Sequence, residues 1–237
     1  MDSSNYIYHH GELELHGFLA YGENHDKPLP AVIVAHDWTG RNEFACQKAQ
    51  MFSQMGYLGF ALDMFGQARL GNTTDEKMAL IHPLVNDRAL LRDRVYSAFD
   101  ALVAMEEVDS NRIAIVGFCF GGMCALDLAR SGADLKAAIT FHGLLNPPEQ
   151  PQSEDIKAKI LVLHGYDDPL VKPEQVTAFC REMDAAQVDW QVHMFGQVEH
   201  AFTNPNAHDE NAGLVFNALA SERSWGMMTQ FLTEIVK

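Results

Sequence analysis

Apolar residues in this chain are grouped in short continuous runs separated by segments of helical periodicity. Three runs, "AVIVAH", "YLGFALD" and "RIAIVG", are rich in the residue types typical of strands buried on both faces of a sheet. Further strands are predicted at "LKAAITF", "KILVLHG" and "WQVHMF". On either side of Gly11, apolar residues alternate with a period of about two, which predicts a pair of strands near the N-terminus.

Helical spacing of apolar residues follows most of these runs. Residues 43 to 56 keep that spacing and stop at Gly56. The segment from Asp75 to Glu107 is predicted to be helical, with Pro83 as the candidate break. Further helices are predicted over "GGMCALDLARSG", "PEQVTAFCREMDAAQ" and about Ala218 to Val236. This alternation predicts one α/β domain over residues 1–237, doubly wound around a mostly parallel sheet with helices on both faces. The loop "LLNPPEQPQSED" contains no helical segment long enough to form a large cap domain.

Composition limits the classes of partner and cofactor that the protein is expected to bind. The net charge of −15 disfavours nucleic acid and anionic membranes, because a phosphate backbone would be repelled over most of the surface. No run reaches the length of a membrane span, and "MDSSNYIYHH" lacks the features of a signal peptide, so a cytoplasmic protein is expected. Four cysteines without a C-x-x-C pair predict free thiols and no zinc site. No metal or cofactor is expected, and the sequence sets no oligomeric state.

The hexapeptide "GFCFGG" places Cys119 directly after the run "RIAIV" and before a predicted helix. Gly117, Gly121 and Gly122 would allow the sharp turn that presents a nucleophile at the end of a strand. The positive end of the helix dipole would favour a thiolate there. The alternative is a small buried thiol in a glycine-rich turn, and the hexapeptide alone does not distinguish the two.

Two later segments supply partners for a nucleophile. "LVLHGYDDPLV" places Asp168 after one strand, and "GQVEHAF" places His200 after the next. The chain order nucleophile, acid, histidine is that of the α/β-hydrolase fold. Cys119 would attack, His200 would move protons, and Asp168 would orient the imidazole. Asp167 is the competing acid, but the spacing G-x-x-D-x-x-V selects Asp168.

With these segments in order, the sequence resembles the dienelactone hydrolase family of α/β-hydrolases. The likeness covers nearly the whole chain and includes "AVIVAHDWTG", "GYLGFALDMFG", "RIAIVGFCFGG", "VLHGYDDPLV" and "EHAF". It implies Cys119, Asp168 and His200 as the catalytic triad. The expected oxyanion hole consists of the backbone N–H of Phe120 and, by analogy with the family, that of Trp38.

The chain departs from the family around the expected pocket. The resemblance implies a glutamate that touches the cysteine, whereas this chain has Asp37, preceded by His36 where glutamine is common. Asp37 is therefore expected either to tune Cys119 or to hydrogen-bond its own backbone. The family clamps a substrate carboxylate with two arginines, but one position here is Asn204, and ungapped counting puts Lys77 at the other. Strong carboxylate recognition is unsupported.

Other polar residues near the motifs have simpler interpretations. His142 and His164 end predicted strands, where a buried imidazole is expected, and His142 is a candidate for the pocket. Arg88, Arg92 and Arg94 are predicted to form the solvated face of their helix. Histidines 9, 10 and 16 on the N-terminal strands are expected to be surface or hairpin residues.

The sequence thus predicts a hydrolase of small activated esters or lactones that acts through a Cys119 thioester. An alternative within the same chemistry is hydrolysis of aryl esters or neutral phosphotriesters by the same triad. Alternatives of other classes are a thiol redox sensor, which would leave Asp168 and His200 without a role, and a binding protein without catalysis.

Overall fold

A computed structural model of the chain describes residues 2–22, 28–149 and 155–236. Eight strands of these ranges form one sheet in the order β1-β2-β4-β3-β5-β6-β7-β8, and two short strands, β9 and β10, pair separately. The strands are β1 Asp2–His10, β2 Leu13–Tyr21, β3 Leu29–Ala35, β4 Leu58–Ala61, β5 Val108–Phe118, β6 Ala137–Phe141, β7 Lys159–Gly165, β8 Trp190–Phe195, β9 His208–Asp209 and β10 Leu214–Val215. The helices are α1 Glu43–Gln54, α2 Thr74–Asn86, α3 Arg88–Val103, α4 Phe120–Arg130, α5 Pro173–Ala185 and α6 Ala218–Ile235.

The sheet is mostly parallel, as predicted. β1 pairs with β2 and β2 pairs with β4, both antiparallel. The remaining neighbours in the order β4-β3-β5-β6-β7-β8 all pair parallel. The central strands are buried on both faces, which explains their continuous apolar runs. All the parallel strands therefore deliver their carboxyl ends to one edge of the sheet.

Helices cover both faces of the sheet. α3, α4 and α5 pack on one face around a core that includes Leu91, Leu126 and Phe179. α1 and α6 pack on the other face, where Phe52 and Phe231 are buried. The described residues between β6 and β7 contain no helix, and the stretch 150–154 of the proline-rich loop lies outside the described residues.

The predicted helical region between residues 75 and 107 is divided, but not at Pro83. Pro83 lies inside α2, and the break falls at Asp87. The Asp87 side chain accepts a hydrogen bond from the N–H of Leu90 at 2.9 Å and so begins α3. The division is therefore set by Asp87 as the N-cap of α3, and not by the proline that the sequence offered as the break.

The prediction that three arginines form the solvated face of α3 is wrong for two of them. Arg88 forms a bidentate ion pair with the buried Asp127 on α4, with Nε and Nη2 each 2.6 Å from a carboxylate oxygen. Arg94 donates from Nη1 to the carbonyl of Met64 at 2.9 Å. Only Arg92, paired with its exposed neighbour Asp93, matches the prediction.

Candidate active site

Cys119 lies in a sharp turn between β5 and α4. Its backbone has φ 55° and ψ −116°, a left-handed conformation that is uncommon for a residue with a side chain. Its N–H donates to the carbonyl of Phe141 at 3.1 Å, which ties the turn to the end of β6. The side chain is half-buried at the carboxyl edge of the sheet. The turn therefore leaves the thiol partly exposed at this edge.

The glycines of this turn leave no room for a side chain. A Cβ at Gly117 would lie 1.9 Å from the carbonyl oxygen of Gly121, and one at Gly121 would lie 2.1 Å from that of Ala35. A Cβ at Gly122 would meet the hydroxyl of Thr140 at 2.2 Å. The need for glycine here is thus close approach of backbone to backbone, as the hexapeptide predicted.

Asp168 and His200 come together at the same edge. Nδ1 of His200 donates to Oδ2 of Asp168 at 2.7 Å, and both side chains are buried. The second carboxylate oxygen of Asp168 accepts the N–H groups of Leu170 and Val171 at 2.8 and 3.2 Å. The carboxylate is therefore fixed on both oxygens, whereas Asp167, the competing acid, is exposed to solvent.

The electrostatics of His200 link it to Cys119. Burial by itself lowers the pKa of His200, but the negative charge of Cys119 and the hydrogen bond to Asp168 outweigh burial and raise that pKa from 6.5 to about 10. The imidazole also has a hydrogen bond to the Cys119 side chain, which favours its protonated form as well. A proton on this imidazole is therefore stabilised from two sides, by Asp168 and by the sulfur of Cys119.

The two predicted oxyanion-hole amides belong to two different segments of the chain. Phe120 is the first residue of α4, and Trp38 lies in the loop that follows β3. Among the described residues neither amide donates to a backbone or side-chain acceptor. Lys77 on α2 places its Nζ 4.9 Å from the centre of the Trp38 ring. Ungapped counting along the sequence placed Lys77 near the pocket but did not predict this contact with Trp38.

His36 and Asp37 shape the loop that carries Trp38. The N–H of Met64 donates to Nε2 of His36 at 3.1 Å, so the ring proton is on Nδ1, which donates to the carbonyl of Asp37 at 2.6 Å. Burial lowers the pKa of His36, which is consistent with a neutral ring that joins two loops. Oδ1 of Asp37 accepts the N–H of Thr39 at 2.8 Å. Asp37 thus forms a local hydrogen bond to the backbone, which is one of the two roles predicted for it.

The remaining predicted pocket residues lie in different settings. His142 is buried at the end of β6, with its ring centre 5.0 Å from that of His200. Nε2 of His142 lies 2.8 Å from the hydroxyl of Thr203, a contact that sequence reasoning missed because the two residues are far apart in the chain. Asn204 is half-buried, and its Oδ1 accepts the N–H of Asn206 at 2.9 Å. The carboxyl edge thus brings together Cys119, Asp168 and His200, with His142 beside them.

Two further observations concern other classes of site. Within the described ranges, no group of three His, Cys, Asp or Glu side chains could hold a metal ion. No helix of those ranges is long and apolar enough to cross a membrane.

Cys124, a cysteine of α4, is fully buried, and burial raises its pKa well above the ordinary value.

A parallel sheet covered on both faces, with a strained turn after β5 and an acid–histidine pair after the following strands, defines the α/β-hydrolase class. Comparison with known proteins agrees. The family model of the dienelactone hydrolase family matches residues 15–236. The chain belongs to the dienelactone hydrolase family.

Individual relatives show the same likeness. A putative carboxymethylenebutenolidase of Yersinia pestis is 28% identical over 213 residues, which cover 84% of this chain and 79% of that protein. An uncharacterized protein of Caenorhabditis elegans is 37% identical over 147 residues, which cover 61% of this chain and 93% of that protein. The crystal structure of a dienelactone hydrolase-like promiscuous phosphotriesterase from metagenomic libraries superposes with a TM-score of 0.95 at 36% identity, and covers 100% of this chain and 99% of that chain.

Proposed function

We propose that this protein hydrolyses small activated esters or lactones through a thioester on Cys119. The observation that carries the proposal is the placement of Cys119, in its strained turn, against the buried His200–Asp168 pair. A membership of the dienelactone hydrolase family supports the same chemistry, since relatives are named as putative carboxymethylenebutenolidases.

The first half-reaction would form the acyl-enzyme. The Cys119 thiolate attacks the carbonyl carbon, and the carbonyl oxygen takes negative charge that the N–H groups of Phe120 and Trp38 stabilise. The carbon–oxygen bond of the ester then breaks, and the imidazolium of His200 gives its proton to the leaving oxygen. The raised pKa of His200 keeps this proton available near neutral pH.

The second half-reaction would release the acid. His200, now neutral, accepts a proton from water as the water oxygen attacks the thioester carbon. The bond from carbon to sulfur breaks and restores the thiolate beside the imidazolium. Asp168 holds Nδ1 of His200 throughout, so that Nε2 faces the reacting atoms. Amides are poor substrates for this route, because their tetrahedral adduct expels sulfur more readily than amine.

Neutral substrates suit the pocket better than a dienelactone carboxylate. Asn204 carries no charge, and its amide oxygen is engaged by the N–H of Asn206. The ammonium of Lys77 lies over the Trp38 ring and offers a point charge where a bidentate guanidinium would be needed for strong carboxylate binding. We therefore propose small uncharged esters and lactones as the substrate class.

A second candidate is hydrolysis of neutral aryl phosphotriesters at the same site. The observation in its favour is the close superposition on a protein named as a promiscuous phosphotriesterase. Attack by Cys119 at phosphorus, with release of the aryl alcohol, would use the same imidazolium. This activity must disappear together with the esterase activity when Cys119 is replaced.

The test is the release of nitrophenolate from excess p-nitrophenyl acetate at early times. We expect a burst close to one equivalent per chain, followed by slower turnover, and no burst in Cys119→Ala. Cys180→Ala removes another half-buried thiol, on α5, and serves as the matched control that should keep the burst.

Equal traces for the wild-type protein and Cys119→Ala would refute the proposal. Oxidation of Cys119 by peroxide with recovery by thiol, and no ester turnover, would then favour a redox sensor. Tight retention of an ester without chemistry would favour a binding protein.

A further inference from the structure

His142 occupies the position next to the nucleophile turn. The carbonyl of Phe141, the preceding residue, accepts the N–H of Cys119, so that His142 directly follows this link between β6 and the turn. The backbone of His142 has φ 41°, a left-handed conformation that is unfavourable for a residue with a β-carbon. Its side chain is only 2% exposed. The backbone conformation of His142 is therefore imposed by the residues packed around it and not by its own conformational preference.

The ring of His142 contacts His200 in two ways. The two ring centres are 5.0 Å apart with an interplanar angle of 64°, an edge-to-face contact. Nε2 of His142 lies 2.8 Å from Oγ1 of Thr203, which belongs to the turn that directly follows His200. That turn is closed by the N–H of Asn204, which donates to the carbonyl of Ala201. His142 therefore touches both the imidazole of His200 and the backbone segment that carries it.

The remaining nitrogen of His142 is unsatisfied. Nδ1 is buried and has no hydrogen-bond partner in any other described residue, which costs stability. Burial, followed by the charge on His200, lowers the pKa of His142 well below its ordinary value. Both effects favour the neutral form of the ring. Both the strained backbone and the unpaired nitrogen are costs that stability alone does not explain.

We propose that His142 is a positioning residue for His200: its ring fixes the plane of the His200 imidazole opposite Cys119, and its hydrogen bond to Thr203 fixes the turn below that imidazole. This inference rests on the proposed function, because the position of His200 matters only if it moves protons for Cys119. Since His200 acts both as acid and as base, loss of its alignment must slow acylation and deacylation together.

The experiment compares the wild-type protein with His142→Phe and Thr203→Val. Phenylalanine keeps an aromatic ring but loses the hydrogen bond and the unpaired nitrogen, and valine removes the hydroxyl with little change of shape. In His142→Phe we expect burst rate and steady-state rate to fall by similar factors, about tenfold to a hundredfold, with KM changed less than about twofold. The melting temperature should change little, because the removal of a buried unpaired nitrogen offsets the loss of the hydrogen bond to Thr203. Thr203→Val should show a smaller loss of both rates.

A second readout does not depend on ester turnover. The rate at which iodoacetamide alkylates Cys119 reports its pairing with the imidazolium, and it should fall about tenfold or more in His142→Phe. If the wild-type protein gives no burst, the proposed function fails while the alkylation rate still tests the alignment of His200. Wild-type rates in His142→Phe, a change in KM alone, or a loss of activity that follows a lower melting temperature would each overturn the positioning role.

Discussion

Nδ1 of His200 lies 2.7 Å from Oδ2 of Asp168, and both side chains are buried beneath the carboxyl edge of the sheet. The contact combines a hydrogen bond with a charge interaction, and both raise the pKa of His200 against the opposing effect of burial. Asp168 thus sets both the orientation and the charge of the imidazole.

Replacing Asp168 with asparagine should lower kcat/KM by about 10³- to 10⁴-fold, because the imidazole loses its oriented tautomer and its charge partner. The alkaline limb of the pH profile should also move to lower pH, since only Cys119 remains to raise the pKa of His200 once the Asp168 carboxylate is removed. A profile of kcat/KM from about pH 6 to about pH 11 measures both effects. Asp167→Asn, at the exposed neighbouring position, is the control and should leave the profile unchanged.

The same pair makes stability depend on pH. The folded-state pKa of His200, about 10, exceeds the ordinary 6.5, so its bound proton stabilises the fold fully below about pH 6.5. That contribution is lost as the pH rises through about 10. The difference in unfolding free energy between the wild-type protein and Asp168→Asn should therefore shrink between about pH 6.5 and about pH 10. A constant difference across the range would contradict the raised pKa.

Arg88→Met should destabilise the fold by about 3 kcal/mol, because it leaves the fully buried Asp127 with only the 3.2 Å contact from Arg130. Arg92→Ala, on the same helix, removes an exposed pair with Asp93 and should cost less than about 1 kcal/mol. Urea unfolding of both variants measures the contrast. Equal losses would mean that the Arg88–Asp127 pair gives no more than a surface pair.

The succession of strands and helices along the chain and the glycine-rich turn at Cys119 could be read from the sequence because both depend on local pattern. Strands buried on both faces are continuous apolar runs, and the close backbone approach at Gly117 and Gly121 requires glycine. The positions of Asp168 and His200 followed from their places after consecutive strands. These features need no knowledge of distant partners.

The missed features depend on partners that are remote in the chain. Arg88 pairs with Asp127, which is 39 positions away on another helix, so helical periodicity alone assigned it to solvent. His142 and Thr203 are 61 positions apart, and neither side chain belongs to a recognisable motif. The strands β9 and β10 have two residues each, which is too short for a period to be detected.

Gln187→Gly should stabilise the fold by about 1 kcal/mol, because Gln187 ends α5 with φ 55°, a conformation that favours glycine. The N–H groups of Gln187 and Val188 close the helix by donating to Asp184 and Met183. Gly56 closes α1 in the same way with φ 86°, and a Cβ there would meet nothing within 4 Å. Gly56→Ala should therefore lose about the same amount, and thermal unfolding checks both. A Gln187→Gly variant no more stable than wild type would contradict this view of the helix end.

Gly121→Ala should impair both folding and ester turnover, because its Cβ would fall 2.1 Å from the carbonyl oxygen of Ala35 and 2.6 Å from that of His36. These are backbone atoms at the end of β3, so relief requires α4 to move away from the loop that carries Trp38. Such a shift would separate the N–H of Phe120 from that of Trp38. Gly226→Ala is the matched control: it lies exposed within α6 with open space around it, and it should gain about 1 kcal/mol from helix propensity. Calorimetry and burst kinetics on both variants measure the outcome. Normal stability and a full burst in Gly121→Ala would show that α4 need not pack so closely against β3 to present Cys119.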